Sequence, residues 1–317
     1  MSVDVAAIRE MQDDDLPHLL RHWEETGWGV LPADLWRARH RTGPRGPSHV
    51  AVAVDEAGSV LGHVTVMRTL LNVRGSGVPA ARIHGAVFSA DYRRRHTPVA
   101  LPDHPLLHML LSLVDPLVRD GVAVLYVVPD KRLMPLVRHL PEVAQTDFPL
   151  WSRTLGPAPA LPACHEVVPE VAPGAIDALW ERCRGDLVCT ARDARTLAWK
   201  ALFAPLRVEG IRRDGELVAI VASRPHGDRQ WLLEDLLAVD HRARVAAIAS
   251  VVRAAVVESA AREIRKVGAL AAPILEPALT EVGFSPDDFT FHLLVHRMDD
   301  QPVEDLDPRG WYLTPND

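Results

Sequence analysis

The order of candidate strands and helices in the first half of this chain recurs in the second half. A repeat on the scale of a domain constrains the fold more than any single motif does. The first pass opens on a strand at 3–9, followed by the run Asp13-Asp14-Asp15 and an amphipathic helix with Leu16, Leu19, Leu20 and Trp23 on its apolar side. Acidic side chains just ahead of a 3.6-residue apolar period mark a helix start. Pro32-Ala33-Asp34 begins a second short helix around Trp36. Residues 49–55 and 59–66 are β-branched runs on either side of Glu56-Ala57-Gly58, which reads as a hairpin. A strand at 82–88, an arginine-rich turn, one long apolar helix over 106–119, a strand at 122–128 and a closing helix at 131–140 complete the pass.

The second pass has a strand at 165–168, helices at 175–184 and 194–203, and a hairpin of 208–213 and 217–223 around Asp214-Gly215. A strand at 231–239, a turn holding Arg242 and Arg244, a helix to about 263, a strand at 267–271, a helix over 273–281 and a strand at 290–297 follow. Between the passes, Gly156-Pro157-Ala158-Pro159-Ala160-Leu161-Pro162 has the composition of a linker. At 317 residues the chain is long enough for two domains. The expected organisation is a first domain over 1–155, a linker at 156–163 and a second domain over 164–317, both of the α/β class in α+β layers.

With 48% hydrophobic and 24% charged residues, the chain has material for ordinary cores and is not a disordered polymer. No apolar run reaches bilayer length, and Met1-Ser2-Val3-Asp4 lacks the regions of a secretory signal, so a cytoplasmic protein with no membrane partner is expected. The net charge of −7 argues against nucleic acid as a partner, because phosphate neutralisation needs a basic face, while a local anion pocket remains compatible. Cys164, Cys183 and Cys189 show neither a disulfide framework nor zinc spacing, so no metal is expected. Of 35 basic residues only Lys131, Lys200 and Lys266 are lysine, a bias that suggests GC-rich coding of an actinobacterial type.

Ile83-His84-Gly85-Ala86-Val87-Phe88-Ser89-Ala90-Asp91-Tyr92-Arg93-Arg94-Arg95 is an apolar strand that runs into a cationic turn. Guanidinium forks match phosphate oxygens. The stretch resembles the fourth strand and following loop of the Gcn5-related N-acetyltransferase (GNAT) superfamily, V-x-V followed by P-x-Y/F-R-x-x-G-x-G/A. Ala86, Val87 and Phe88 stand at the V-x-V positions and Tyr92-Arg93 at the aromatic-Arg step. The loop glycines fall on His96 and Pro98, and Pro98 has no N–H to offer a phosphate. In the second half, Asp193-Ala194-Arg195-Thr196-Leu197-Ala198-Trp199-Lys200 with Pro205 resembles the D-x-x-x-L-x-W-R…P helix of two-domain members, and the ending from Trp311 to Asp317 resembles W-x-L-T-x-x-D. The second loop, Arg242-Ala243-Arg244-Val245-Ala246-Ala247, has Val245 where glycine is expected.

The resemblance implies two tandem GNAT-like domains, each a mixed central sheet flanked by helices, and N-acyl transfer from acetyl-CoA or another acyl-CoA to an amine on a small molecule, such as an amino sugar or specialised metabolite. It implies cofactor contacts from Ala86, Val87 and Phe88 through their backbone, and from Arg93, Arg94, Arg95, Arg242 and Arg244 through their charge. Acyl transfer needs a base and donors aimed at the oxyanion. His84 is the first candidate base, since histidine titrates near working pH without a large shift; a hydrogen-bonded structural histidine is the alternative. Glu234 and Asp235 are the runner-up pair, with pairing to Arg242 or Arg244 as the structural alternative, and Tyr126 is the candidate acid or else a core aromatic. His104 and His108 read as helix-start residues, and Trp23, Trp28 and Trp36 as packing between short helices or an acceptor wall. A GNAT-fold module that binds a ligand or partner without catalysis is the competing function, and a homodimer is left open. An aminoacyl-tRNA-dependent ligase is disfavoured by the acidic charge.

Overall fold

The computed structural model describes residues 5–95, 103–129, 133–134, 143–260, 262–298 and 307–314. The chain divides into two units. The first comprises Met1–Leu70, Val78–Val143 and Leu294–Pro302, and the second Leu71–Gly77, Ala144–Leu293 and Val303–Asp317. Segments on both sides of the Pro/Ala stretch thus belong to each unit.

In the first unit, β1 (Ala7–Glu10), β2 (His49–Val54), β3 (Val60–Val73), β4 (Ser76–Phe88) and β5 (Val124–Val127) follow in spatial order, and the far end of β13 (Ser285–Arg297) pairs with β5. Among the described residues β4 and β5 pair in parallel, over three residue pairs. Helices α1 (Leu16–Glu25) and α2 (Ala33–Arg41) cover one face, where Leu16, Leu19, Leu31 and Trp36 pack on Val50, Val52 and Val60. On the other face lie α4 (Pro105–Ser112) and α5 (Val114–Arg119), which follow α3 (Ala90–Arg95); Leu106, Met109, Leu113 and Leu117 pack on Ala51, Val64, Val66 and Ile83. The single helix expected over 106–119 is two, because Pro116 cannot donate and its ring crowds the carbonyl of Ser112. Leu113 N–H turns instead to Leu110 O at 3.1 Å.

The second unit repeats the plan. Its strands run β7 (His165–Val168), β9 (Arg207–Arg213), β10 (Glu216–His226), β11 (Gln230–Ala238), β12 (Lys266–Leu270) and β6 (Val143–Thr154). Again a parallel pair is found among the described residues, β11 with β12 over Gln230–Leu232. Short β8 (Val188–Thr190) pairs with Leu71–Val73. The helices are α6 (Pro173–Cys183), α7 (Ala194–Lys200), α8 (His241–Glu258) and α9 (Glu276–Glu281). Apolar almost all round, α8 buries eleven residues from Ala243 to Ala255. Among the described residues no helix is long and apolar enough to cross a membrane. The closing helix expected at 131–140 falls largely outside the described residues.

Candidate active site

Gly85 sets the geometry of β4. Its φ of +72° is a left-handed backbone that glycine adopts without a Cβ penalty, and it makes the strand bulge and invert its side-chain phase. Before Gly85, Ala81 and Ile83 face the α4 side; after it, Ala86 and Phe88 do. Pairing with β5 covers only Ala80–Arg82 against Val124–Tyr126, although β4 runs on to Phe88. Among the described residues the backbone of Ala86, Val87 and Phe88 therefore borders a fork on the β5 side. The end of β4 stays tied to β3 through Ser89 N–H donating to Leu61 O at 2.8 Å. Gly62 of β3 lets this happen: a Cβ there would lie 2.4 Å from Phe88 Cδ1.

Arg82 and His84 project from the opposite face, toward α1 and α2. The His84 ring lies 5.7 Å from Trp23 and 5.7 Å from His40, centroid to centroid. His40 packs on Trp36 at 4.9 Å, with its Nδ1 3.3 Å from Ser48 Oγ. Beside them His22 and His63 stack at 6.2 Å. His22, His40 and His63 are buried and His84 is half-buried. Burial favours the neutral ring and pushes His22 down to about 4, His40 to about 3 and His63 to about 3. His84 is also held well below the ordinary imidazole value, first by enclosure and then by Arg82. The expectation that His84 titrates near working pH is therefore corrected. It stays in its proton-accepting form across the neutral range. Among the described residues no three His, Cys, Asp or Glu side chains converge as a metal site.

The arginine turn is helical, α3, and its start is occupied. Glu25 Oε2 accepts from Ala90 N–H at 2.7 Å, and Ser89 Oγ from Tyr92 N–H at 3.1 Å. Arg93 donates to the Glu25 carbonyl at 3.1 Å and Arg94 pairs with Asp91, both guanidiniums being exposed. The side chain of Arg95, together with His96 and Pro98, lies outside the described residues. His104 caps α4, its Nδ1 accepting from Leu106 N–H at 3.2 Å. Tyr126 is buried beside the base of the fork and borders an apolar pocket of about 420 Å³ with Ile83, Leu110, Leu125, Leu294 and His296.

In the second unit Glu234 and Asp235 meet different cations, and neither of these is Arg242 or Arg244. Asp235 accepts from Arg192 Nε at 2.6 Å, Lys200 Nζ at 3.0 Å and Leu236 N–H at 2.9 Å. Arg192 also donates to Thr190 O at 3.0 Å and Tyr312 O at 3.2 Å, and lies 4.5 Å over the Tyr312 ring. Glu234 sits 2.7 Å from Arg224 Nε but out of line for a hydrogen bond. Burial raises its pKa despite that neighbour. Arg242 and Arg244 stand in the first turn of α8, where Asp240 already accepts from Ala243 N–H at 2.8 Å and pairs with Arg213 at 2.8 Å. Sequence reasoning missed His22, His40 and His63, although His63 interrupts an apolar strand. It also missed Arg192, whose only mark was a cation between Ala191 and the Asp193 cap.

No protein-family model and no curated protein sequence matches the chain. Solved structures do. A GCN5-related N-acetyltransferase from Anabaena variabilis aligns with TM-score 0.67 and 12% identity over 92% of this chain and 73% of its own. A tandem GNAT protein from the clavulanic acid biosynthesis pathway aligns with TM-score 0.57 and 15% identity over 93% and 99%. Saccharomyces cerevisiae N-myristoyltransferase, solved with myristoyl-CoA, aligns with TM-score 0.61 and 11% identity over 92% and 79%. The chain has the fold of the GNAT acyltransferases, laid out twice along its length.

Proposed function

We propose that the protein is an acyl-CoA-dependent N-acyltransferase whose chemistry belongs to the first unit, with acetyl-CoA the first donor to test and a primary amine of a small molecule as acceptor. The observation that carries this is the fork: β4 leaves β5 at Arg82 and bulges at Gly85, with His84 beside the bulge. A thioester lying along Ala86–Phe88 meets backbone N–H groups in place, which stabilise the oxyanion without reorganisation. The neutral His84 takes the proton that the amine nitrogen loses as its bond to the acyl carbon forms. Arg93, Arg94 and Arg95 meet the diphosphate with side-chain charge, in place of the family's glycine cradle. Tyr126, at the base of the fork, is the candidate donor to the leaving thiolate. Cytoplasmic placement fits a small-molecule enzyme of this kind.

A second reading, a GNAT-fold protein that binds without catalysing, is favoured by one feature: in both units a carboxylate of the chain itself, Glu25 or Asp240, fills the helix start where a phosphate would bind. Calorimetric titration with acetyl-CoA and longer acyl-CoAs, followed by thiol-release assays over a panel of amines, separates the two. The enzyme reading requires saturable binding and amine-dependent thiol release. Binding without release across the panel supports the second reading, and no binding removes the first.

A further inference from the structure

Resting on the acyltransferase reading, we propose that the acceptor is an amine that also carries a carboxylate and an apolar body, as an amino acid with a large side chain does, and that Arg82 binds the carboxylate. Arg82 and His84 are two apart on β4 ahead of the bulge and so share a face. Arg82 Nε is buried and has no hydrogen-bond partner, and among the described residues Arg82 forms no ion pair. The residue is only half-buried, so the guanidinium can be reached by a carboxylate, whose oxygens match its fork. The charged and titratable groups that act most on His84 are Arg82, His40, Arg39 and His63, with no carboxylate among them. With His40 and His63 neutral, the charge of this wall is that of Arg82 and Arg39, which favours an anionic acceptor over a polycationic one. That counts against an amino sugar, the acceptor class named from the sequence.

The rest of the wall is aromatic. Trp23 packs on His84, and Trp28 meets Trp23 edge-on at 4.6 Å with 47% of its surface exposed. Trp28 sits between Gly27 and Gly29, whose φ values are +84° and +82°, so the chain presents the indole on a tight turn. An exposed indole packed on the ring that touches His84 is a natural contact for an apolar side chain. Carboxylate on Arg82, amine toward His84 and apolar body on Trp23 and Trp28 together orient one class of acceptor.

The experiment compares phenylalanine and tryptophan with their amides, with phenethylamine and with glucosamine, in wild type and in Arg82→Gln and Arg82→Lys proteins checked for folding by circular dichroism. In wild type the amino acids have the highest kcat/KM. Arg82→Gln lowers it for the acids by about 10- to 100-fold, the scale of one or two charge-assisted hydrogen bonds, and leaves the amides nearly unchanged. Arg82→Lys restores part of the loss, and acyl-CoA affinity is kept in all three. Preference for glucosamine or for the amides, or an equal loss for acids and amides in Arg82→Gln, overturns the assignment while leaving the acyltransferase reading intact. If no acyl-CoA binds, that reading fails. Calorimetric titration with N-acetylphenylalanine against its amide then decides the Arg82 assignment alone: the acid binds better in wild type and equally with the amide in Arg82→Gln, or the assignment is wrong.

Discussion

Acidification should unfold this protein through its histidines well before its carboxylates. His22, His40 and His63, all buried, have folded values of about 4, 3 and 3 against 6.5 when exposed. A base with a depressed folded pKa is fully stabilising above its unfolded value and loses that contribution as pH falls below it, because only the unfolded chain then takes up the proton. At pH 5 each ring is about 1.5 units below its unfolded value and still neutral in the folded state, a cost of about 2 kcal/mol per histidine. Three rings make about 6 kcal/mol between pH 8 and pH 5, comparable to the whole stability of an ordinary domain. Asp15, held below the usual carboxylate range by its hydrogen bond to Arg9, titrates lower and leaves this window to histidine. Urea unfolding followed by tryptophan fluorescence at pH 8, 7, 6 and 5 measures it, with Trp23 and Trp36 in the same unit as reporters. The midpoint should fall steeply below pH 6.5, and His63→Phe should remove part of the fall. An unchanged midpoint between pH 8 and pH 5 would refute the argument that these rings are buried and neutral.

Two further outcomes follow from the ionic contacts. Asp235→Asn should destabilise the second unit by about 3–5 kcal/mol, the usual cost of removing one partner from a buried ion pair, while the turnover of the folded fraction stays the same. Calorimetry and an activity assay at low temperature measure both, and a turnover loss of a hundredfold or more would instead make Asp235 a base. Replacing Arg93, Arg94 and Arg95 together by alanine should weaken acyl-CoA binding by at least about tenfold, the scale of a single charge-assisted phosphate contact. Unchanged affinity in a folded triple variant would move the binding site to Arg242 and Arg244.

The repeat was legible because β-branched hairpins and apolar helices announce themselves through local period. The matching parallel pairs, β4 with β5 and β11 with β12, bear out the two-pass order of the sequence. Strand β6 was not anticipated, since Pro149 and Asp147 interrupt its pattern and its pairing with β12 is remote in sequence. The β3–β4 turn was hidden for another reason: Arg74 takes a φ of +47° ahead of Gly75, a place where asparagine or aspartate gives the usual signal. Within the site, His84 was found because its strand is distinctive. Its setting was not, because the burial that depresses its pKa comes from α1, α2 and β3, which no local window joins. Likewise Lys200 and Tyr312 belonged to recognisable motifs, but only the folded unit reveals that they surround Arg192 and Asp235.

The central claim is that the fork of β4 delivers a thioester to an amine beside His84, and thiol release by wild type and His84→Ala measures it most directly. With an active acyl-CoA and amine pair, His84→Ala should lower turnover by roughly 10²–10⁴-fold, the range of general base catalysis, with acyl-CoA affinity kept. Because His84 is neutral throughout, the wild-type profile should show no His84 ionisation near neutral pH. Near-normal turnover in a folded His84→Ala protein would contradict the account.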